Sequence, residues 1–147
     1  MNGPQTFPKL SAQSLEEHGH IHFHLDQLER AVKDLDAGPV DPELLRTIAA
    51  RIDSFKERMD EHVAAEEDGG LLQGVQDALP QAESDVRRIR TQHARMNDAL
   101  EGVRAIAHRA DPAEAPALKA ELNKLLAMVR DHEREEDALV KRALKQA

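Results

Sequence analysis

Residues 59–67 of the chain read MDEHVAAEE, and residues 129–137 read VRDHEREED. In each stretch a histidine follows an apolar residue by three positions, and a glutamate follows the histidine by four. The two pairs are His62 with Glu66 and His132 with Glu136. Residues four apart lie on one face of an α-helix. Each stretch therefore predicts a helix that presents an imidazole and a carboxylate on the same side.

The pattern extends outward from these pairs in both directions. Apolar residues precede each histidine at offsets −3, −7, −10 and −14, namely Met59, Phe55, Ile52 and Ile48 before His62, and Val129, Leu125, Leu122 and Leu118 before His132. Apolar residues also follow His18 and His93 at +3, +7 and +10, namely Ile21, Leu25 and Leu28, and Met96, Leu100 and Val103. This periodicity is typical of amphipathic helices. The chain reads as one helical hairpin written twice.

Turn and cap signals divide the chain into four helices. Ser14 followed by Glu17 is a capping-box signal, so we expect an N-terminal arm at 1–13 and a bundle at 14–147. Later breaks fall at Gly38-Pro39-Val40-Asp41-Pro42, Gly69-Gly70, Pro80 and Asp111-Pro112, with Pro116 as an alternative start for the last helix. Residues 71–80 fit either a short helical turn or an irregular lid. Short connections predict an all-α, up-down-up-down four-helix bundle.

Six polar residues of these helices are expected to meet at one level. In an antiparallel hairpin, the start of one helix and the end of the next lie at the same end of the pair. A single inward histidine is more often a core residue, and an isolated His-x-x-x-Glu is often a solvated pair. Four inward histidines and two inward glutamates would be costly to bury without a compensating charge. We therefore predict a dinuclear metal site near one end of the bundle, formed by His18, His62, Glu66, His93, His132 and Glu136.

The ligand types restrict the metal without fixing it. Imidazole and carboxylate without thiolate suit Fe, Mn, Zn or Cu(II), and the sequence contains no Cys. Two glutamates shared by two metals can bridge them, which gives each metal two histidines and two carboxylate oxygens. A bridging oxo or hydroxo group would leave one position open. An open position on a redox-capable pair suits O2, peroxide or NO.

The pattern His18 … His62-x-x-x-Glu66 … His93 … His132-x-x-x-Glu136 resembles the hemerythrin-like family of HHE cation-binding domains. The resemblance covers residues 14 to about 142. It implies a non-haem di-iron centre in which His18 and His62 hold one iron, His93 and His132 hold the other, and both glutamates bridge. Oxygen-carrying hemerythrins have a fifth histidine where this chain has Asn97, and they end in His-x-x-x-x-Asp. The chain therefore looks closer to bacterial hemerythrin-like proteins and to iron–sulfur cluster repair di-iron proteins.

The remaining histidines are sorted by helical geometry. At about 100° per residue, His22 lies near the inner face one turn after His18, and its repeat partner is Asn97. Two interpretations stay open for His22: a seventh metal ligand, or a hydrogen-bond donor behind the ligands. His20 and His24 are expected on the outer face or rim, and His108 near a helix C-terminus. Glu67 and Asp137 lie one residue beyond the two ligand glutamates, and we expect them to matter far less for metal binding.

These observations favour a di-iron protein that binds or senses O2, NO or peroxide, or that stores or handles iron. A di-iron enzyme that consumes peroxide or NO is the alternative, and a structural Zn bundle is the second. We lean against an enzyme because no general base is evident and there is no Tyr for radical chemistry. The net charge of −8 without a basic stripe argues against nucleic acid. Without Cys, a signal peptide or a long apolar run, we expect a cytoplasmic protein free of the membrane, with Phe23 as a candidate homodimer surface.

Overall fold

The computed structural model describes residues 6–146, and all regular structure within them is helical. There are four long helices and one short one: α1 Phe7–Asp36, α2 Pro42–Asp68, α3 Leu71–Ala78, α4 Glu83–His108 and α5 Ala115–Gln146. Short 3₁₀ turns, Pro80–Ala82 and Pro112–Glu114, precede α4 and α5. None of the described helices combines the length and apolar composition needed to cross a bilayer.

The four long helices pack around a common axis. Contacts run from α1 to α2, from α2 to α4, from α4 to α5 and from α5 back to α1. Short connections between successive long helices make neighbours antiparallel, so the predicted all-α four-helix bundle is confirmed. The start of α2 follows the sequence signal closely, because the Asp41 side chain accepts a hydrogen bond from the Leu44 backbone N–H at 2.8 Å.

Two apolar clusters fill the interior. The larger one contains the predicted stripes of all four long helices, including Phe55, Leu28 and Leu122, which are fully buried. The smaller one joins α3 to the start of α4 and the end of α5, through residues such as Leu72 and Ile89. On each long helix, the inward histidine (His18, His62, His93 or His132) lies in sequence between residues of the larger cluster and residues of the smaller one or of α3. The site therefore lies near one end of the bundle but below an apolar cap.

Helix α1 begins earlier than the capping-box signal predicted. Thr6 is the N-cap, and Pro8 occupies the first turn, so the helix starts at Phe7 rather than at Ser14. The extra two turns form because Phe7 and Leu10 pack against the smaller cluster. Residues 7–13 of the predicted arm are therefore helical, and residues 1–5 lie outside the described residues.

The ambiguous stretch 71–80 forms α3, which covers the end of the bundle. Gly70 precedes it with φ of 102°, a left-handed conformation that favours glycine. Leu71, Leu72 and Val75 are buried against the smaller cluster. A Cβ at Gly74 would lie 2.6 Å from the Phe7 ring, so this glycine lets α1 and α3 approach closely. The segment is therefore a packed cap rather than an irregular lid.

Candidate metal centre

The six residues that the spacing predicted as ligands converge in the structure. His18 comes from α1, His62 and Glu66 from α2, His93 from α4, and His132 and Glu136 from α5; each is at most 4% exposed. They form two overlapping groups, His18-His62-Glu66-Glu136 and Glu66-His93-His132-Glu136. Within each group, one ligand atom per residue lies within 4.8 Å of all the others. Both groups share the two carboxylates, which is the arrangement needed for two bridged cations.

All four imidazoles turn Nε2 toward the carboxylates. His18 Nε2 lies 3.0 Å from Glu136 Oε1, and His62 Nε2 lies 2.9 Å from Glu66 Oε1. His93 Nε2 is 3.3 Å from Glu66 Oε1 and 3.6 Å from Glu136 Oε2. His132 Nε2 is 3.2 Å from Glu136 Oε2.

Several of these buried atoms lack hydrogen-bond partners although they lie close together. They are His62 Nε2, Glu66 Oε1, His93 Nε2, His132 Nε2 and Glu136 Oε2. Unpaired buried polar atoms are rare because each loses its hydration without compensation. Atoms that face a common centre rather than one another are suited to donate lone pairs to a cation. The residues therefore fit a dinuclear metal group of nitrogen and oxygen ligands.

The internal repeat is visible in the ring geometry. The His18 and His62 ring centroids are 5.0 Å apart with planes at 62°. The His93 and His132 rings repeat this pair, at 4.8 Å and 62°. The two hairpins thus build two nearly equivalent half-sites.

The opposite ring nitrogens contact residues that the sequence pattern placed outside the ligand set. His93 Nδ1 bonds Glu67 Oε1 at 3.0 Å, and His132 Nδ1 bonds Gln92 Oε1 at 2.7 Å. His18 Nδ1 lies 3.0 Å from Asp137 Oδ1, an ion-pair distance, although it is off the direction of a good hydrogen bond. Partners of this kind fix ring orientation and raise the basicity of a metal-ligating imidazole.

These outer contacts cross between the hairpins. Glu67 of the first hairpin holds His93 of the second, while Asp137 of the second holds His18 of the first. The repeat did contain this signal, since an acid follows each ligand glutamate directly. At about 3.6 residues per turn, such an acid lies off the inner face of its own helix, as the sequence predicts, and its side chain reaches a histidine on a neighbouring helix.

Ser14 was also missed as a site residue. Its hydroxyl donates to Glu66 Oε2 at 3.3 Å, and the residue is 8% exposed. The capping-box signal predicts instead that the Ser14 hydroxyl bonds the backbone at a helix start. With α1 beginning at Phe7, Ser14 is two turns inside the helix and faces the site.

The charges of the cluster shift its proton affinities. Burial alone would lower the pKa of His18, but the close carboxylates of Asp137 and Glu136 raise it to about 10. Burial would likewise lower the pKa of His93, but the close carboxylates of Glu136, Glu66 and Glu67 raise it to about 10. Burial would raise the pKa of Glu136, whereas its close contacts with Glu66 and the histidines hold it well below its usual range. The raised pKa values of His18 and His93 favour their protonated forms beside these carboxylates when no metal is bound.

The structure places His22 outside both groups. Its Nε2 lies 2.5 Å from Glu133 Oε2, and its side chain is 62% exposed. The offset of about 40° from His18 directs it toward α5, where the buried carboxylate of Glu133 receives it. The geometry thus gives His22 a partner other than the metal groups.

The other histidines also lie apart from the centre. His20 is exposed and His24 is half-buried, and neither belongs to the two groups. His108, in the last turn of α4, pairs with Asp53 at 2.9 Å. The exposed Phe23 side chain stacks edge-on against His24.

Comparison with known families agrees with this geometry. The family described as Hemerythrin HHE cation binding domain matches residues 11–144. Searches of curated proteins and of solved structures return no significant match. The family match spans nearly the whole chain and includes all six converging residues. The chain therefore belongs to the hemerythrin HHE cation-binding domain family.

Proposed function

We propose that this protein is a non-haem di-iron protein that binds or senses a small ligand, O2, NO or peroxide, rather than an enzyme that turns it over. The observation that carries the proposal is the pair of four-residue groups that share Glu66 and Glu136. Two cations bridged by two carboxylates match that sharing. Iron is proposed because the hemerythrin family match suggests it, and the imidazole and carboxylate ligands are compatible with iron.

Different residues of the chain would have different roles at such a centre. His18 and His62 would hold one ion, His93 and His132 the other, and both glutamates would bridge. Iron supplies a redox-active position for a small molecule when bound. Glu67, Asp137 and Gln92 orient the imidazoles from behind, and the two apolar clusters pack on either side of the site along the bundle.

A groove between α2 and α4 supports binding of a small ligand. Its volume is about 390 Å³, and it reaches His93. Met59, Val63, Met96 and Leu100 form the apolar part of its lining, and the polar part consists of His93, Asp60, Glu67, Asp68, Arg90 and Asn97. The apolar part gives a small uncharged molecule a place beside His93. Of the six candidate ligands, only His93 contacts this groove, so the ligand would reach the ion of His93 and His132.

The repeat-related cavity between α1 and α5 does not reach the centre. It is about 480 Å³ in volume but touches none of the six candidate ligands. Where the first groove has Asn97 and Val63, this one has His22 and Glu133, which bond each other across it. The pair lies on the corresponding path, which supports entry of the small ligand through the α2–α4 groove rather than between α1 and α5.

The decisive experiment measures metal and ligand together. The full chain is expressed in iron-rich medium, its metal content is measured, and optical spectra are recorded before and after O2, peroxide and NO. We expect two irons per chain and spectral changes at stoichiometric ligand without sustained consumption. Steady consumption of peroxide or NO would favour the enzyme, and zinc without spectral response would favour a structural bundle.

A further inference from the structure

A second opening leads to the centre from the opposite side. It lies between the N-terminal half of α1 and the C-terminal end of α2, with a volume of about 250 Å³. At its inner end it meets His62 and Glu66, whose facing atoms are buried and unpartnered. Ser14 lies beside them, with its hydroxyl on Glu66. Unlike the α2–α4 groove, this opening therefore ends on a buried carboxylate.

The outer part of this opening carries acidic and neutral polar groups. Gln13, Glu16, Glu17 and His20 line it, and none of the described residues in its lining is Lys or Arg. Arg58 lies nearby, 3.5 Å from Glu17, and offsets part of the negative charge. The side-chain oxygen and nitrogen atoms that line the opening are possible cation ligands, and they extend from the surface to Glu66.

The internal repeat provides a comparison within the molecule. The equivalent surface between α4 and α5 is lined by Arg88, Arg142, Ile89 and Leu139, among others, and touches none of the six candidate ligands. In the repeat, Ser14 corresponds to the buried Ile89, and Glu16 and Glu17 correspond to Thr91 and Gln92. The second hairpin thus has an apolar residue, Ile89, in place of Ser14, and neutral residues in place of the two glutamates. The two acids on its own surface, Asp85 and Glu135, pair with Arg142 and Arg88.

From these features we infer that the opening between α1 and α2 is the loading path for divalent cations, and that Glu16, Glu17 and Ser14 guide the ion to Glu66. The inference rests on the proposed di-metal function. Negative charge at the mouth raises the local cation concentration and the rate of association. The small ligand and the metal then use separate paths, one that ends beside His93 and one that ends on Glu66.

Uptake of Co²⁺ by the metal-free full chain tests this path. Cobalt gives visible absorption when imidazole and carboxylate bind it, so stopped-flow absorbance reports the rate directly. We expect the double variant E16Q/E17Q to take up Co²⁺ about 3- to 10-fold more slowly at low salt, with a weaker salt dependence and an unchanged final amount. The matched control is E101Q/E121Q, which removes the charge of the exposed Glu101 and the half-buried Glu121, neither of which lines the opening, and it should load at the wild-type rate.

Two variants at Ser14 distinguish the effect of blocking the opening from the effect of losing the hydrogen bond to Glu66. Ser14→Ala removes the bond to Glu66 and leaves the opening free, whereas Ser14→Ile introduces the plug of the second hairpin. We expect S14I to load at least tenfold more slowly than S14A while circular dichroism shows both folded. Equal rates for S14I and S14A, or equal rates for the E16Q/E17Q and control chains, would overturn the path. Failure of the wild-type chain to bind two Co²⁺ would instead overturn the di-metal function itself.

Discussion

The carboxylates that cross between the hairpins lead to a quantitative prediction about metal affinity. Asp137 lies 3.0 Å from His18 Nδ1, and Glu67 lies 3.0 Å from His93 Nδ1. Loss of such a partner typically weakens metal affinity by about 10- to 100-fold. This corresponds to about 1.4 to 2.8 kcal/mol, at about 1.4 kcal/mol per tenfold. Both side chains are about one-third exposed, so solvent screens part of their charge.

Two substitutions at each position distinguish how much of the loss in metal affinity comes from the charge and how much from the contact with the imidazole. Asp137→Asn and Glu67→Gln keep an acceptor oxygen and lose only the charge, so we expect a loss of about tenfold. Asp137→Ala and Glu67→Ala lose both, and we expect the upper part of the range. Asp137 variants should weaken the metal held by His18 and His62, whereas Glu67 variants should weaken the metal held by His93 and His132.

The assay is a competition titration of the metal-free chain with Co²⁺ and a chromophoric chelator, with affinities fitted for two sites. Glu61 and Asp131 provide matched controls, because each directly precedes a ligand histidine and is exposed. Glu61→Gln and Asp131→Asn remove the same charge and should change affinity less than twofold. Equal losses in the test and control variants would refute the reasoning, because general charge would then explain the effect.

Three further predictions concern the centre and its ligand groove. Glu66→Ala and Glu136→Ala should each lose one or both metals and lower the melting temperature of the metal-loaded chain, since bound metal stabilises the fold; unchanged metal content by elemental analysis would exclude bridging. Because His18 and His93 have pKa values raised to about 10, their stabilising contribution in the metal-free chain is complete below the unfolded pKa of 6.5 and is lost as pH rises through about 10. Metal should displace these protons, so calorimetry near pH 7.5 in buffers of different ionisation enthalpy should detect about two protons released from them, and no release would contradict the pKa assignment. Filling the α2–α4 groove with Ala64→Phe and Ala94→Phe should slow NO binding at least tenfold in the metal-loaded chain, whereas Ala120→Phe on α5 should not; unchanged stopped-flow rates would place ligand access elsewhere.

Much of the fold followed from sequence because both copies of the hairpin share one periodic pattern. The stripes ending at His62 and His132 define the inward faces of α2 and α5, and the structure buries those faces. The convergence of His18 with His62 required only that successive helices be antiparallel. Helical period and short connections are local properties, so they can be read from one chain.

The remaining features depended on contacts between segments far apart in sequence. The start of α1 at Phe7 depends on packing against α3, which no local cap signal at Ser14 could reveal. The contact of His22 with Glu133 joins residues 111 positions apart. The contacts of Glu67 and Asp137 could not be predicted from local sequence either, because their partners lie on the other hairpin.

The exchange of outer contacts between hairpins has a consequence for the ancestry of the centre. Each hairpin contributes two imidazoles, one shared carboxylate and one acid that supports its neighbour. A single hairpin therefore supplies half of the ligands. It cannot form either four-residue group alone, because each group includes a glutamate from both hairpins. Two copies related by a twofold axis would supply the whole set, as expected for a gene that doubled after its product had already worked as a homodimer. Once the copies were fused, Ser14 and Ile89 could diverge, and one ancestral opening could become two different ones.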